Sequence, residues 1–195
     1  MKVQFRFKNS QLFLILSVLV IGLVVALFVN KNSNEQEPTH YTNAKFIELT
    51  TNRNVACFGA ARIYSMSDSE RLQGSCCSPM SLHRYEEQVE GLKNYASINQ
   101  IPPDPYDISV EQAKQLLNYK NTIKLSGYQD KIYKDAMKMS DEGGPCCCKC
   151  WRWDVYEGLA KYLIVIENFT AEQVAEVWDL SDGCGGEGHA TGVHT

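Results

Sequence analysis

The sequence predicts an all-α fold, an N-terminal transmembrane helix followed by a small irregular helical bundle with Cys-rich loops. Three observations predict it. The run from Leu12 to Val29 is apolar and carries no charge. Downstream, apolar residues recur at spacings of three and four, the period of one helix face. Ser/Thr-x-x-Gln boxes precede several of these stripes, and strand-like alternation is absent. The 195 residues are 44% hydrophobic and 22% charged, which excludes a disordered or fibrous chain. A net charge of −4 with no basic block excludes nucleic acid as a main partner.

Residues 1–30 read as a signal anchor. Lys2, Arg6 and Lys8 precede the apolar run and the next charge is Lys31. A helix over Leu12–Val29 rises about 27 Å, enough for the hydrocarbon core of a bilayer. A cleaved signal peptide needs a small-x-small site, and Val25-Ala26-Leu27-Phe28-Val29 supplies none. The basic flank lies on the N-terminal side, so the expected topology is a single-pass membrane protein with a cytoplasmic N-terminus and an extracytoplasmic remainder. Residues 31–43 are polar and read as a tether, with His40 given no role. Residues 44–195 form the predicted Cys-rich domain, long enough to bury a core without staples.

Within that domain one helix is expected around Val55–Tyr64. A second starts at Ser78-Pro79, an N-cap followed by proline, and carries Leu82, Tyr85, Val89, Leu92 and Ala96 on one face. Ile101-Pro-Pro-Asp-Pro105 breaks it. Ser109 with Gln112, Ser126 with Gln129 and Thr170 with Gln173 open further helices. Their stripes are Val110/Ala113/Leu117, Tyr128/Ile132/Ala136/Met139 and Val174/Val177/Trp178. A helix over Trp151–Ile166 places Trp151, Val155, Leu159, Tyr162 and Ile166 on one face.

The eight cysteines fall in four places. Cys57 stands alone in an apolar segment and reads as a small buried hydrophobe. Cys76 and Cys77 lie on a turn ahead of Met80 and His83, a thiol, thioether and imidazole set suited to Cu(I), or to Zn(II) without Met80. Alternatively, Met80 packs in the core and His83 is solvated. Cys146, Cys147, Cys148 and Cys150 crowd the segment before the Trp151 helix. In an extended segment Cys146, Cys148 and Cys150 share a side. Cys147 and Cys150 form a C-x-x-C at a helix N-terminus, where the dipole favours thiolate. Adjacent or alternate cysteines make strained bridges, which argues against a purely structural role for all four. Cys184, His189 and His194 lie in a Gly-rich tail that can wrap an ion.

The stretch Pro145-Cys146-Cys147-Cys148-Lys149-Cys150, preceded by Tyr133-Lys-Asp-Ala136, resembles the P-C-x-C-x-C frame of the PCYCGC-motif proteins, which are membrane-anchored or lipoprotein-like bacterial extracytoplasmic proteins. Cys147 stands for that family's Tyr, Lys149 for its Gly, and Trp151-Arg-Trp153 for its Gly- and His-bearing sequel, and there is no lipobox. The resemblance implies an extracytoplasmic location and metal binding, not a reaction.

No phosphate-binding loop, HExxH or nucleophile elbow is present, and no residues pair as general acid and base. The sequon Asn168-Phe-Thr170 is discounted because Thr170 reads as a helix cap. The first functional reading is therefore a membrane-anchored thiolate metal-binding protein for Cu(I) or Zn(II). Its ligands are Cys146, Cys148 and Cys150, then Cys147, Cys76, Cys77 and Cys184, with His83 and His189. The alternatives are a thiol–disulfide oxidoreductase or redox sensor acting through Cys147 or Cys148, and a disulfide-stapled adaptor module.

Overall fold

The computed structural model describes residues 37–186. The Leu12–Val29 span lies outside them, and among the described residues no helix is long and apolar enough to cross a membrane. The order of elements is α1 (Glu37–Thr51), α2 (Ala61–Tyr64), β1 (Arg71–Gln73), α3 (Leu82–Leu92), β2 (Asp107–Ser109), α4 (Val110–Thr122), α5 (Gly127–Met139), α6 (Trp151–Val165) and α7 (Ala171–Leu180), with a 3-10 turn at Lys93–Tyr95. Residues 37–44 and the rest belong to two separate compact units. Helix α1 begins inside the segment that composition reads as tether.

The all-α expectation is corrected by an antiparallel ladder. Arg71 pairs with Ser109, Leu72 with Ile108 and Gln73 with Asp107. Three residues a strand are too few to display an alternating pattern, so nothing in the sequence announces it. The ladder earns its place through Leu72 and Ile108, which face each other in the core. Beside them Asp107 accepts from Arg71 Nε at 2.5 Å and pairs with Lys45 at 2.7 Å. Burial works against its charge, but these two cations outweigh it and hold its carboxyl below the usual range. The prolines before β2 forbid a helix there, and Asp104 fixes the turn by accepting from Tyr106 N at 2.8 Å and Tyr85 Oη at 2.7 Å.

Helix starts follow side-chain chemistry. Ser109, Ser126 and Thr170 each accept a hydrogen bond from the backbone N–H three residues on. The capping box is reciprocal at Ser126 and Thr170, whereas the Gln112 side chain donates instead to Asn99 O and Gln100 O. Helix α3 starts after Ser81, not Ser78, because the backbone around Ser78 and Pro79 is taken by another segment. The helix expected around Val55–Tyr64 shrinks to α2.

Helix α6 is the centre of the domain. It is buried on more than one face, through Trp151, Val155, Tyr156, Leu159, Ala160, Leu163 and Ile164. The single predicted stripe is therefore too narrow, and Ile166, placed on it, lies past the helix end and is exposed. Helix α4 meets α6 at Gly158, where a Cβ would stand 1.9 Å from Leu116 O, so only glycine allows this approach. Helix α5 lies against α6 and α7 with Ala136 innermost. Its predicted stripe frays at both ends, with Tyr128 75% and Met139 50% exposed. Trp178 of α7 donates from Nε1 to Tyr156 O at 3.2 Å and meets the edge of Tyr133.

Near the end of α7, Asp179 accepts from Asp141 N at 2.9 Å. Burial first, and then the charge of Asp141, pushes its carboxyl up to about 6, against the pull of that hydrogen bond. A carboxyl that holds its proton longer in the folded than in the unfolded state makes the fold most stable below the unfolded value. Stability is then lost as pH rises to about 6. Asp179→Asn removes the titration, so the Tm of the natural chain is expected to fall relative to the variant between pH 4 and 6.5. Parallel Tm–pH curves for the two would remove Asp179 as the cause.

Candidate metal centre

Four loops meet at one end of α6. The loop before α2 is tied to the helix start by Trp151 N donating to Phe58 O at 2.8 Å, which brings Cys57 in. The 75–79 loop runs beside the 183–186 segment. Cys76 N donates to Gly183 O at 3.0 Å, Cys77 N and Ser78 N donate to Cys184 O, and Gly186 N donates to Pro79 O at 2.6 Å. These bonds take up the Ser78-Pro79 backbone that the sequence assigns to a helix start. Gly185 makes the approach possible, with φ of +87° and no room for a Cβ, which would stand 2.1 Å from Ser78 O. The fourth loop, residues 143–150, doubles back through Cys150 N donating to Cys148 O at 2.9 Å. It is therefore turned, not extended, and Cys146, Cys148 and Cys150 do not share a side by simple alternation.

All eight cysteines are free thiols, and six of them form a chain of close Sγ contacts. Cys57 Sγ lies 3.3 Å from Cys77 Sγ and 3.3 Å from Cys148 Sγ. Cys77 Sγ lies 4.0 Å from Cys147 Sγ, which is 2.8 Å from Cys184 Sγ. Cys184 Sγ is 3.4 Å from Cys146 Sγ. Cys150 lies near enough to Cys146, Cys148 and Cys76 for these thiols to shift one another's ionisation, which joins Cys150 and Cys76 to the group. Cys57, Cys77 and Cys147 are exposed, Cys148 is half-buried, and Cys76, Cys146, Cys150 and Cys184 are buried. The cluster thus runs from the surface into the core.

Several sets of three ligand atoms lie within 4.8 Å of one another: Cys57/Cys77/Cys148, Cys77/Cys147/Cys184, Cys146/Cys147/Cys148 and Cys146/Asp182/Cys184. A tetrahedral ion with metal–sulfur bonds of about 2.3 Å sets its ligands about 3.8 Å apart. The cysteine cluster could hold a metal ion on this geometry. Asp182 orients the last set by accepting from Cys184 N at 3.1 Å.

The helix-dipole expectation for Cys147 and Cys150 is overturned. Burial pushes the Cys147 thiol up to about 12. The bond to Cys146 raises that of Cys150. For Cys146 the neighbouring Cys150 favours the thiolate, but Cys184 and burial outweigh it and the value reaches about 12. Cys184 likewise reaches about 12, burial overcoming the bond to Cys146. Burial and Cys57 raise Cys148. Crowded, half-dry thiols disfavour one another's ionisation more strongly than one helix terminus favours it.

Arg152 sits behind the cluster with 1% of its surface exposed. Its Nε donates to Cys76 Sγ at 3.1 Å, Nη1 to Pro105 O at 2.6 Å and Nη2 to Gly74 O at 3.4 Å. Among the described residues no carboxylate lies within 4 Å of it. A sequence reading has no means of finding Arg152, since nothing local marks an arginine on an apolar helix as buried.

The other expected ligands divide. Cys76, Cys77, Cys146, Cys147, Cys148, Cys150 and Cys184 come together. His83 does not: its side chain is 85% exposed and pairs with Glu87. Met80 packs with Leu49, Tyr85 and Tyr106. His189 and His194 lie outside the described residues. Cys57, read as a buried hydrophobe, is instead exposed and belongs to the cluster, a correction that no spacing in the sequence foreshadows. Comparison of the chain with protein-family profiles, curated proteins and solved structures gives no match.

Proposed function

We propose that this chain is a thiolate metal-binding protein that takes a soft or borderline ion, Cu(I) or Zn(II). One observation carries the reading. Cys57, Cys77, Cys147 and Cys184 each contact two other thiols, where a set of disulfide staples would give each sulfur one partner. Among the described residues the donor sets are sulfur-rich and hold no imidazole, and such sets favour Cu(I) and zinc over harder ions. The resemblance of Pro145–Cys150 to the PCYCGC frame supports the same reading and an extracytoplasmic setting. The oxidoreductase alternative has less support, because a dithiol catalyst needs a depressed thiol pKa and these are raised.

The test is elemental analysis together with a thiol count on the full chain, reduced and loaded without oxygen. Stoichiometric copper or zinc is expected, with thiols masked until denaturation or chelation. The triple variant Cys146→Ser, Cys148→Ser, Cys150→Ser is expected to lose most of that metal. Full metal content in the triple variant, or few free thiols and no metal in the natural chain, refutes the reading.

A further inference from the structure

The thiol sets that could each hold an ion overlap in a regular way. Cys57/Cys77/Cys148 and Cys77/Cys147/Cys184 share Cys77. Cys77/Cys147/Cys184 and Cys146/Cys147/Cys148 share Cys147. Cys146/Cys147/Cys148 and Cys57/Cys77/Cys148 share Cys148. Each pair of sets has one sulfur in common, and each set keeps one sulfur of its own: Cys57, Cys184 or Cys146.

We infer that the cluster binds three Cu(I) ions in a thiolate-bridged ring, with Cys77, Cys147 and Cys148 as bridging ligands and Cys57, Cys146 and Cys184 as terminal ones. The inference rests on the metal-binding reading and adds the number of ions, their identity and the role of each sulfur. Three sulfurs to an ion is a coordination number that Cu(I) accepts and that structural zinc, which is almost always four-coordinate, does not. Thiolate is a soft ligand that selects Cu(I). No bridging scheme of this kind arises if the sites are independent, because Cys77 would then have to serve one ion or the other. On loading, each participating S–H bond is replaced by bonds from sulfur to copper and its proton passes to solvent. Copper stays Cu(I) throughout, so no oxidant or reductant is consumed.

The position of the exposed sulfurs suits delivery. Cys57, Cys77 and Cys147 are exposed, so an incoming ion meets them first. Cys146 and Cys184 are buried and complete the inner ions. Transfer by exchange of one thiolate for another can therefore start at the surface without opening the core.

The experiment is an anaerobic titration of the reduced full chain with Cu(I) against a chromophoric Cu(I) chelator, followed by X-ray absorption at the copper edge. Three coppers per chain are expected, bound cooperatively, with sulfur-only coordination and a copper–copper scattering path. Two single variants at exposed sulfurs separate bridge from terminus without disturbing the core. Cys77→Ser breaks two sets and is expected to leave one tightly bound copper. Cys57→Ser breaks one set and is expected to leave two. One copper per chain with no copper–copper path, or equal losses in the two variants, overturns the ring while leaving the metal-binding reading intact. No copper and no zinc bound by the natural chain overturns both.

Discussion

Loading the reduced full chain with Cu(I) or Zn(II) is expected to raise its Tm by roughly 10 °C at free metal about 1,000 times the dissociation constant, and chelation is expected to reverse the rise. Ligand linkage at that excess contributes about 4 kcal/mol. In a chain of this size each kcal/mol moves Tm by about 2–4 °C. The gain is large because the ligands come from loops far apart in sequence: Cys57, the 76–77 pair, the 146–150 run and Cys184. An unfolded chain cannot gather these sulfurs, so the binding free energy is folding free energy. The metal-free domain is nevertheless expected to fold, because α6 and its neighbours supply a core made mostly of aliphatic and aromatic side chains, in which Cys76, Cys146, Cys150 and Cys184 are a minor part. The experiment therefore reads a shift between two cooperative transitions, not the appearance of one. Its pH dependence has a definite sign. The thiols hold their protons well above neutral pH, so metal must displace them, and the Tm gain is expected to shrink as pH is lowered from 8 to 6. Identical melting curves with and without saturating metal would mean that the sulfurs are no part of a metal site.

What the sequence discloses follows the range of the interaction responsible. Ser109, Ser126 and Thr170 are visible because the bonds they make span three residues. The start of α6 at Trp151 is visible for a related reason, a turn-forming run ahead of an apolar helix. The β1–β2 ladder is not visible, since what makes Leu72 and Ile108 strand residues is each other, across an interval of sequence that no local pattern bridges. Ser78-Pro79 misleads for the same reason. Its local propensity is overridden by hydrogen bonds to Cys184 and Gly186.

The candidate site divides along the same line. Density of thiols in the 146–150 and 76–77 segments marks chemistry by itself, from residues adjacent in the chain. That the two segments, Cys57 and Cys184 form one connected set is a property of loop packing around Gly183 and Gly185. The helix dipole does not prevail at Cys147, because it acts on a single thiol at a helix terminus. Ionisation here is governed by the number of other thiols around it and by the dryness of the site. His83 is the converse case. A ligand-like spacing from Met80 places it on the solvent side of α3, where Glu87 is its partner.

Arg152→Met is expected to weaken metal binding by about 10–100-fold, the range found when an outer-shell partner of a metal ligand is removed. The guanidinium is buried, and among the described residues its hydrogen bonds go to Cys76 and to the carbonyls of Pro105 and Gly74. Burial opposes its charge, yet Cys76 and Tyr156 beside it hold the proton firmly. A buried cation without a carboxylate is costly to keep. It becomes an asset when metal-bound thiolates place negative charge near it, and Cys146, a terminal ligand of the copper–thiolate ring, already acts on its charge alongside Cys76. Gly183 is spaced to admit it, since a Cβ there would fall 2.1 Å from Arg152 Cζ. Arg152 thus acts as a positioning residue, so the test needs a readout that loss of packing alone does not move. That readout is the difference in Tm between metal-loaded and metal-free protein. Loss of the bonds to Pro105 and Gly74 lowers both states alike and cancels in the difference. Loss of charge compensation lowers only the loaded state, so the difference is expected to shrink in Arg152→Met and to recover in part in Arg152→Lys, which restores the charge. An unchanged difference in both variants would reduce Arg152 to a tie between loops.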